Sequence, residues 1–475
     1  MAGEGMSNKN DKALEPTILV IFGITGDLSS RYLLPALFHL IKDGMIHKET
    51  VILGVTRSSK TISEVFENVS FCGRDDHSVC DPEALERMKK HTQMYQMDLD
   101  KSDDYAKLHA RLDELENERG FCMNRIYYLS IPPLAYAPVI QHLGENKLNE
   151  SCSHNVAKTR LLVEKPFGFD LESAEKLIKE TSSVFSEEQI FRIDHYLAKE
   201  TVQNILTFRF KNPIFEPLWN QQYIAGITIS AFEEIGVLGR AAFYDPLGAL
   251  RDFIQSHLIQ IMAIATMDKP ESFNSENIHI AKQELMQHIE PIPGERIAER
   301  AKRAQYIGYR DEINKSDSVT ETYASLLVYI DTPRWQGVPI RLVTGKSMNI
   351  RKTEVRISFH GAEGQENNHL RFRIQPNEGI ELDLLTKKPG YTEDVQSTKM
   401  DFTYDLHSPE HGYPDAYERV LVDAIKGDRT LFATSEEVLA SWRVVQPVLD
   451  NWATHSDDLE EYEVGSKDLT EDIVK

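Results

Sequence analysis

Cysteine is scarce in this chain: Cys72, Cys80, Cys122 and Cys152 are the only four in 475 residues, and none form a Cys-x-x-Cys pair. That argues against a disulfide framework or a structural zinc and suits a reducing cytoplasm. Cys72 and Cys80, either side of the polar stretch 73–79, read as packing residues. Long apolar runs are also missing. None reaches the roughly 18 residues of a membrane span, and the longest candidate, Leu258–Met267, reads as a buried helix. Residues 1–17 are polar and charged, without the apolar heart of a signal peptide. Positive charge is in deficit, with 53 Lys and Arg against 75 Asp and Glu, a formal net of −22. Nucleic acid and anionic membrane need a cationic face, so both are disfavoured as partners. A small anion remains open, because a local group of Lys, Arg and His can invert the sign inside a cleft. No Cys/His cluster offers a metal site.

What is present is globular in character, with 41% apolar and 27% charged residues. The length suggests two domains at roughly 100–200 residues each. The first part alternates strand and helix patterns. Thr17–Phe22 is a continuous apolar, β-branched run, followed by a Gly-containing turn and a helical stripe of Leu33, Leu34, Leu37, Leu40 and Ile41. Val51–Val55, Ile126–Ser130 and Thr159–Val163 read as further buried strands. This predicts a parallel sheet with helices on both faces. Pro35 lies inside the first helical pattern and should kink or shorten it.

The second part alternates with period two at Ile227/Ile229/Ala231, Val355/Ile357/Phe359 and Leu370/Phe372/Ile374, with further strands expected at Val319–Ile330 and Val338–Thr344. A large, mostly antiparallel sheet with one packed face follows. Helices are expected over Ala249–Met267 and Asp415–Ile425, and from Thr434, whose spacing to Glu437 suits a capping box. The expected fold is therefore an α/β, Rossmann-like domain over 17–197 and an α+β domain over 198–455. A tail at 1–16 precedes them. An acidic tail at 456–475 should be mobile.

Gly23-Ile24-Thr25-Gly26-Asp27-Leu28-Ser29 leaves a strand and opens a helix. Glycines admit a pyrophosphate to the backbone, and free N–H groups at a helix start bind it. Gly23, Thr25, Gly26, Asp27 and Leu28 are the candidate contacts. An NAD enzyme usually carries an acidic residue at the end of the second strand. Here Arg57 stands there, suited to a 2′-phosphate, so NADP is preferred over NAD. An ordinary turn and a solvated arginine are the plain alternatives.

Three stretches carry further chemistry: Val163–Gly168 (V-E-K-P-F-G), Arg192–Glu200 (R-I-D-H-Y-L-A-K-E) and Gly248–His257 (G-A-L-R-D-F-I-Q-S-H). On a helix, His195 and Lys199 would lie one turn apart and grip a phosphate. A histidine on an apolar helix such as His257 is ordinarily a core residue. Together, and with Phe215–Asn220 and Arg371–Glu378 (R-F-R-I-Q-P-N-E), these segments resemble the glucose-6-phosphate dehydrogenases over nearly the whole chain.

That resemblance implies oxidation of glucose 6-phosphate to the lactone with NADP+, and a homodimer or dimer of dimers formed through the large sheet. It implies His257 as the base and Asp194 as its orienting carboxylate. His195, Tyr196, Lys199 and Arg351 would hold the phosphate, and Lys165, Glu233, Asp252 and Lys346 the sugar. Lys165 and Asp98 would approach the coenzyme, with Pro166 holding Lys165 through an unusual peptide geometry. Tyr32, Ala198 and Ser256 depart from the family pattern, and Tyr32 leaves room for NAD as a weaker coenzyme. Some relatives bind a second, structural NADP+. Glu381 and Asp383, at two of its ligand positions, would repel it. Asp252 and His257 are five apart, about 140° off on an ideal helix, so sharing a cleft requires approach from two sides or a distorted helix. The competing readings are another NADP-dependent sugar dehydrogenase and a non-catalytic NADP-binding sensor.

Overall fold

The computed structural model describes residues 13–67, 69–71, 81–152, 158–361, 367–404, 414–455 and 458–474. Cys72 and Cys80 lie outside them. The described chain forms two compact units. One holds residues up to 167 together with 175–198 and 414–435; the other holds 168–174, 199–413 and 436–475.

The first unit is built on a seven-stranded sheet. Its strands are β1 (Thr17–Phe22), β2 (Val51–Thr56), β3 (Thr92–Gln96), β4 (Asn124–Leu129), β5 (Thr159–Val163) and β6 (Ile190–Ile193), with a short β15 (Phe432–Ala433) at one edge. The spatial order is β15-β6-β5-β4-β1-β2-β3, parallel except for β15. Strands β1, β2, β4 and β5 are buried along their whole length; β1 and β2 are apolar almost throughout, whereas β4 buries Asn124 and Arg125 and β5 buries Arg160 among their apolar residues. Strand order reverses beside β1, and such a switch point opens a crevice at the carboxyl ends of the strands.

Pro35 does not end the first helix, but the helix changes type beside it. A π-helical turn over Ser29–Leu33 passes into an α-helix over Leu34–Lys42, with Pro35 in its first turn. Pro35 has no N–H to give inside this running helix, and the change from π- to α-helical bonding falls beside that gap.

In the second unit a nine-stranded sheet adds β7 (Ile224–Phe232), β8 (Ala301–Tyr306), β9 (Tyr323–Val328), β10 (Ile340–Gly345), β11 (Lys352–Phe359), β12 (His369–Gln375), β13 (Gly379–Lys387), β14 (Val395–Thr403) and β16 (Glu460–Tyr462). The order is β14-β13-β12-β11-β7-β10-β9-β8-β16, antiparallel except for the β7–β10 and β8–β16 pairs. Register places Ile227 opposite Ile357, Ile229 opposite Val355, and Val355 opposite Phe372. The period-two residues therefore share one buried face. The helix Ile259–Thr266 is buried at every residue, as the apolar run implied.

Two expectations need correcting here. The acidic stretch after His455 is anchored among its described residues: β16 pairs with β8, Tyr462 is buried, and the Tyr323 hydroxyl donates to Asp468 at 2.6 Å. Aromatic anchors inside an acidic sequence outweigh its net charge. Cys122 and Cys152 are joined in a disulfide across 30 positions, with Cα atoms 6.0 Å apart. Their partnership comes from the folded path between the 102–119 helix and β5, which cysteine spacing does not reveal.

Candidate active site

In the first unit the nucleotide loop sits at the switch point. Gly23 has φ +83°, and a Cβ there would lie 2.2 Å from the Ser130 carbonyl oxygen at the end of β4. Only glycine fits that approach. The Gly23 carbonyl accepts from Gly26 N–H at 2.9 Å and from Ser29 Oγ at 3.1 Å, which tightens the loop into the π-helical turn. Thr25 and Asp27 are exposed, and Gly26 and Leu28 half-buried. Asp27 pairs with Arg31 at 2.7 Å. Arg57 is exposed just past β2, its carbonyl accepting from Gln96 Nε2 at 3.1 Å. Asp98 lies just past β3. Its carboxylate accepts from the Asp100 N–H and pairs with Lys101, and these bonds hold it below the usual carboxylate range. A glycine cradle, free loop surface and an exposed cation beside it fit a dinucleotide carrying a 2′-phosphate.

At the carboxyl ends of β5 and β6 the chain presents Glu164, Lys165 and Asp194. The Lys165–Pro166 peptide is cis, as is Gln375–Pro376. Asp194 is buried and its Oδ1 accepts from Tyr196 N–H at 2.9 Å, while its carbonyl accepts from Leu197 N–H at 3.1 Å. These bonds wind residues 195–198 into turns, so His195 and Lys199 are not one turn apart on a helix. The helix begins only at Glu200, with Lys199 as its cap residue. His195 stacks against Tyr417, ring centroids 6.4 Å apart, and Tyr417 stacks in turn against Tyr32 at 5.2 Å.

In the second unit four neighbouring strands bring polar residues to one end of the sheet. Glu233 follows β7, Lys346 follows β10, Arg351 precedes β11, and Gln375 closes β12. Lys346 Nζ bonds Glu233 Oε2 at 2.5 Å and lies 5.0 Å from the centre of the Tyr244 ring. Lys199 Nζ donates to Gln375 Oε1 at 2.9 Å. Arg351 is exposed.

The tension over Asp252 and His257 is resolved locally. Leu250–Leu258 is π-helical, and its i→i+5 bonding sets residues five apart above one another. Both side chains are buried, and the negative charge of Asp252 adds to burial in driving the Tyr244 phenol well above its ordinary range. Gly248, at φ +71°, starts this segment; a Cβ there would lie 2.4 Å from Glu321 Oε1, which accepts from Leu250 N–H at 2.9 Å. The long helix expected over Ala249–Met267 is thus a π-helical segment running into an α-helix from Ile259.

Two family profiles match this chain: "Glucose-6-phosphate dehydrogenase, NAD binding domain" over residues 20–204 and "Glucose-6-phosphate dehydrogenase, C-terminal domain" over 206–472. The chain belongs to the glucose-6-phosphate dehydrogenase family. A glucose-6-phosphate 1-dehydrogenase of Chlamydia muridarum is 38% identical over 468 residues, covering 93% of this chain and 91% of the relative. The Caenorhabditis elegans one is 35% identical over 476 residues, covering 96% and 90%. A solved glucose-6-phosphate dehydrogenase in complex with glucose-6-phosphate superposes with a TM-score of 0.88 at 33% identity, covering 95% of each chain.

Within that family frame, several supporting residues escaped sequence reasoning. Gln375 holds Lys199, Tyr417 backs His195, and Glu321 fixes the start of the π-helical segment. Tyr462 donates to the Lys346 carbonyl at 2.6 Å. Only Gln375 had a signal, its place in the R-F-R-I-Q-P-N-E segment.

Proposed function

We propose that this chain oxidises glucose 6-phosphate to 6-phospho-glucono-1,5-lactone, the first step of the oxidative pentose phosphate pathway, with His257 as general base. The observation that carries the assignment of the base is the π-helical segment. It places Asp252 and His257 on one face, buried, in a chain whose two halves both match the family. Oxidation at C1 removes a proton from the hydroxyl oxygen and a hydride from the carbon. His257 takes the proton, and the hydroxyl oxygen's electron pair forms the C1 carbonyl. A histidine starts near pKa 6.5, close to working pH. Asp194 would fix its tautomer and stabilise the imidazolium. Bound NADP+ supplies the hydride acceptor, held by Gly23, Thr25, Gly26, Asp27, Leu28, Arg57 and Asp98.

His195, Tyr196, Lys199 and Arg351 would bind the phosphate. Lys165, Glu233, Asp252 and Lys346 would bind the sugar, with Lys165 also meeting the coenzyme. On this reading, Lys199→Ala lowers kcat/KM for glucose 6-phosphate by roughly 1.5–3 kcal/mol in transition-state terms and leaves the slow oxidation of free glucose nearly unchanged. Equal damage to free glucose in steady-state assays would place Lys199 in the chemistry instead. Arg57→Ala should weaken NADP+ by a similar amount, roughly 1.5–3 kcal/mol, and spare NAD+. Parallel losses of kcat/KM with both coenzymes would remove Arg57 from 2′-phosphate recognition.

The proposed quaternary state is a homodimer or dimer of dimers. Supporting it, β14 is a long edge strand exposed along almost its whole length, Val395, Met400 and Phe402 included, an unpaired edge that a second copy can cover. A second, structural NADP+ does not fit β12 and β13. Arg371 bridges Glu381 and Asp383, Lys399 bonds Glu381 at 2.9 Å and Arg373 bonds Asp401 at 2.6 Å, so these cations are engaged by the chain's own carboxylates. No helix of the described residues is long and apolar enough to cross a membrane.

A further inference from the structure

The mechanism above leaves one buried carboxyl beside its residues unused. Glu164 stands at the carboxyl end of β5, next to Lys165 in the chain and beside Asp194 at the end of the neighbouring β6, where Val163 pairs with Arg192. It is buried. Two buried phenols clamp it: Tyr128 of β4 donates to Oε1 at 2.5 Å, and Tyr136 of the 136–145 helix donates to the backbone carbonyl at 3.2 Å. Three adjacent strand ends thus contribute Tyr128, Glu164 and Asp194 to one buried group. A third phenol, Tyr417 of the 416–426 helix, feels the charge of Glu164 and is pushed up by burial and by that charge.

We propose that Glu164 is a positioning residue for the reaction: clamped by Tyr128 and Tyr136, it fixes the Lys165–Pro166 turn and sets the charge beside Asp194. The proposal rests on the roles assigned above to Lys165 and Asp194.

The physical case has two parts. Lys165 is a long side chain that can act on a small substrate only if its backbone is held, and the residue before it is held at both the side chain and the carbonyl. A misplacement of about 1 Å in such a site costs on the order of 10²-fold. The second part is electrostatic. Burial pushes the Glu164 carboxyl up to about 7, against the pull of the Tyr128 hydrogen bond and Lys165, and Asp194's negative charge pushes the same way. A carboxyl beside Asp194 that exchanges its proton near neutrality changes the charge at that place across the working pH range. When Glu164 ionises, a second negative charge joins Asp194, and any base that Asp194 orients becomes easier to protonate.

The test compares Glu164→Gln, Glu164→Ala and Tyr128→Phe in the full chain with His257→Asn alongside. It measures kcat, KM for both substrates, the pH profile of kcat/KM and thermal melting. Gln keeps an acceptor for Tyr128, so kcat on the alkaline plateau should stay within about 5-fold, while the acidic limb moves to lower pH by about 0.5–1. Tyr128→Phe removes a bond that favours the ionised carboxyl and should move the limb the same way. Glu164→Ala should lose about 10- to 100-fold in kcat/KM, alike for glucose 6-phosphate and free glucose. An unmoved limb in Glu164→Gln, equal losses in the Gln and Ala variants, or an Ala variant that loses only melting temperature would each overturn the proposal. Normal turnover by His257→Asn would defeat the base assignment instead; an inactive His257→Asn with an unmoved Glu164→Gln profile defeats the role of Glu164 alone.

Discussion

His257→Asn should lower kcat by about 10²–10⁴ or more, the usual contribution of general acid–base catalysis, and leave glucose 6-phosphate binding nearly intact. Asparagine keeps similar size and some hydrogen bonding but cannot accept the proton, and oxidation at C1 cannot proceed while the hydroxyl keeps it. The phosphate contacts assigned to His195, Tyr196, Lys199 and Arg351 are untouched. Asp194→Asn should show a smaller loss of the same kind. It should also shift the acidic limb of kcat/KM to lower pH, because a neighbouring negative charge favours the protonated histidine. Single-turnover NADPH formation and calorimetric affinity separate the possibilities. Near-normal turnover removes His257 from the mechanism, and lost affinity in a folded variant makes it a binding residue.

Glu437→Gln should cost about 3–5 kcal/mol of stability. Glu437 is completely buried; His279 Nδ1 bonds Oε1 and Lys282 Nζ bonds Oε2, each at 2.8 Å. Gln removes the charge that compensates a buried lysine while keeping the volume. Burial alone would raise the Glu437 carboxyl, but Lys282 and His279 prevail and pull it down to about 2. A carboxyl with a depressed folded pKa gives stability that is present above its unfolded value, here 4.5, and lost as pH falls toward 2. Denaturant unfolding of the wild type and Glu437→Gln at pH 7 and pH 3 checks both statements. The gap between them should narrow at pH 3. A loss at pH 7 below about 1 kcal/mol, the range of an exposed pair, would mean that the trio contributes as a solvated pair does.

The sequence was legible wherever one physical requirement dominates. Fully buried parallel strands are mostly apolar, so β1 and β2 stand out by composition, and β5 does through Leu161–Val163 although it also buries Arg160. The one-faced sheet announced itself through the alternation at Ile227/Ile229 and Val355/Ile357. The glycine at 23 followed from what a close strand-to-helix turn needs. Legibility failed where tertiary contacts decide. Thr434 does precede the last helix, and no sequence signal shows that Glu437 bonds Lys282, a partner 155 positions away. The His195–Lys199 stretch has helical spacing, yet the Asp194 carboxylate captures the Tyr196 N–H and delays the helix. No propensity separates a π-helical segment from an α-helix, so the alignment of Asp252 with His257 appears only in three dimensions. Tyr462 was hidden by the acidity around it.

Activity on glucose 6-phosphate should depend on recognition of both the phosphate and NADP+. The most direct measurement is the initial rate of absorbance increase at 340 nm for glucose 6-phosphate or glucose, each paired with NADP+ or NAD+. Rapid reduction of NADP+ with glucose 6-phosphate is expected, with slower reduction of NAD+ and only slow turnover of free glucose with either coenzyme. Free glucose oxidised as efficiently as its 6-phosphate, or no reduction of either coenzyme by glucose 6-phosphate in folded protein, would contradict it.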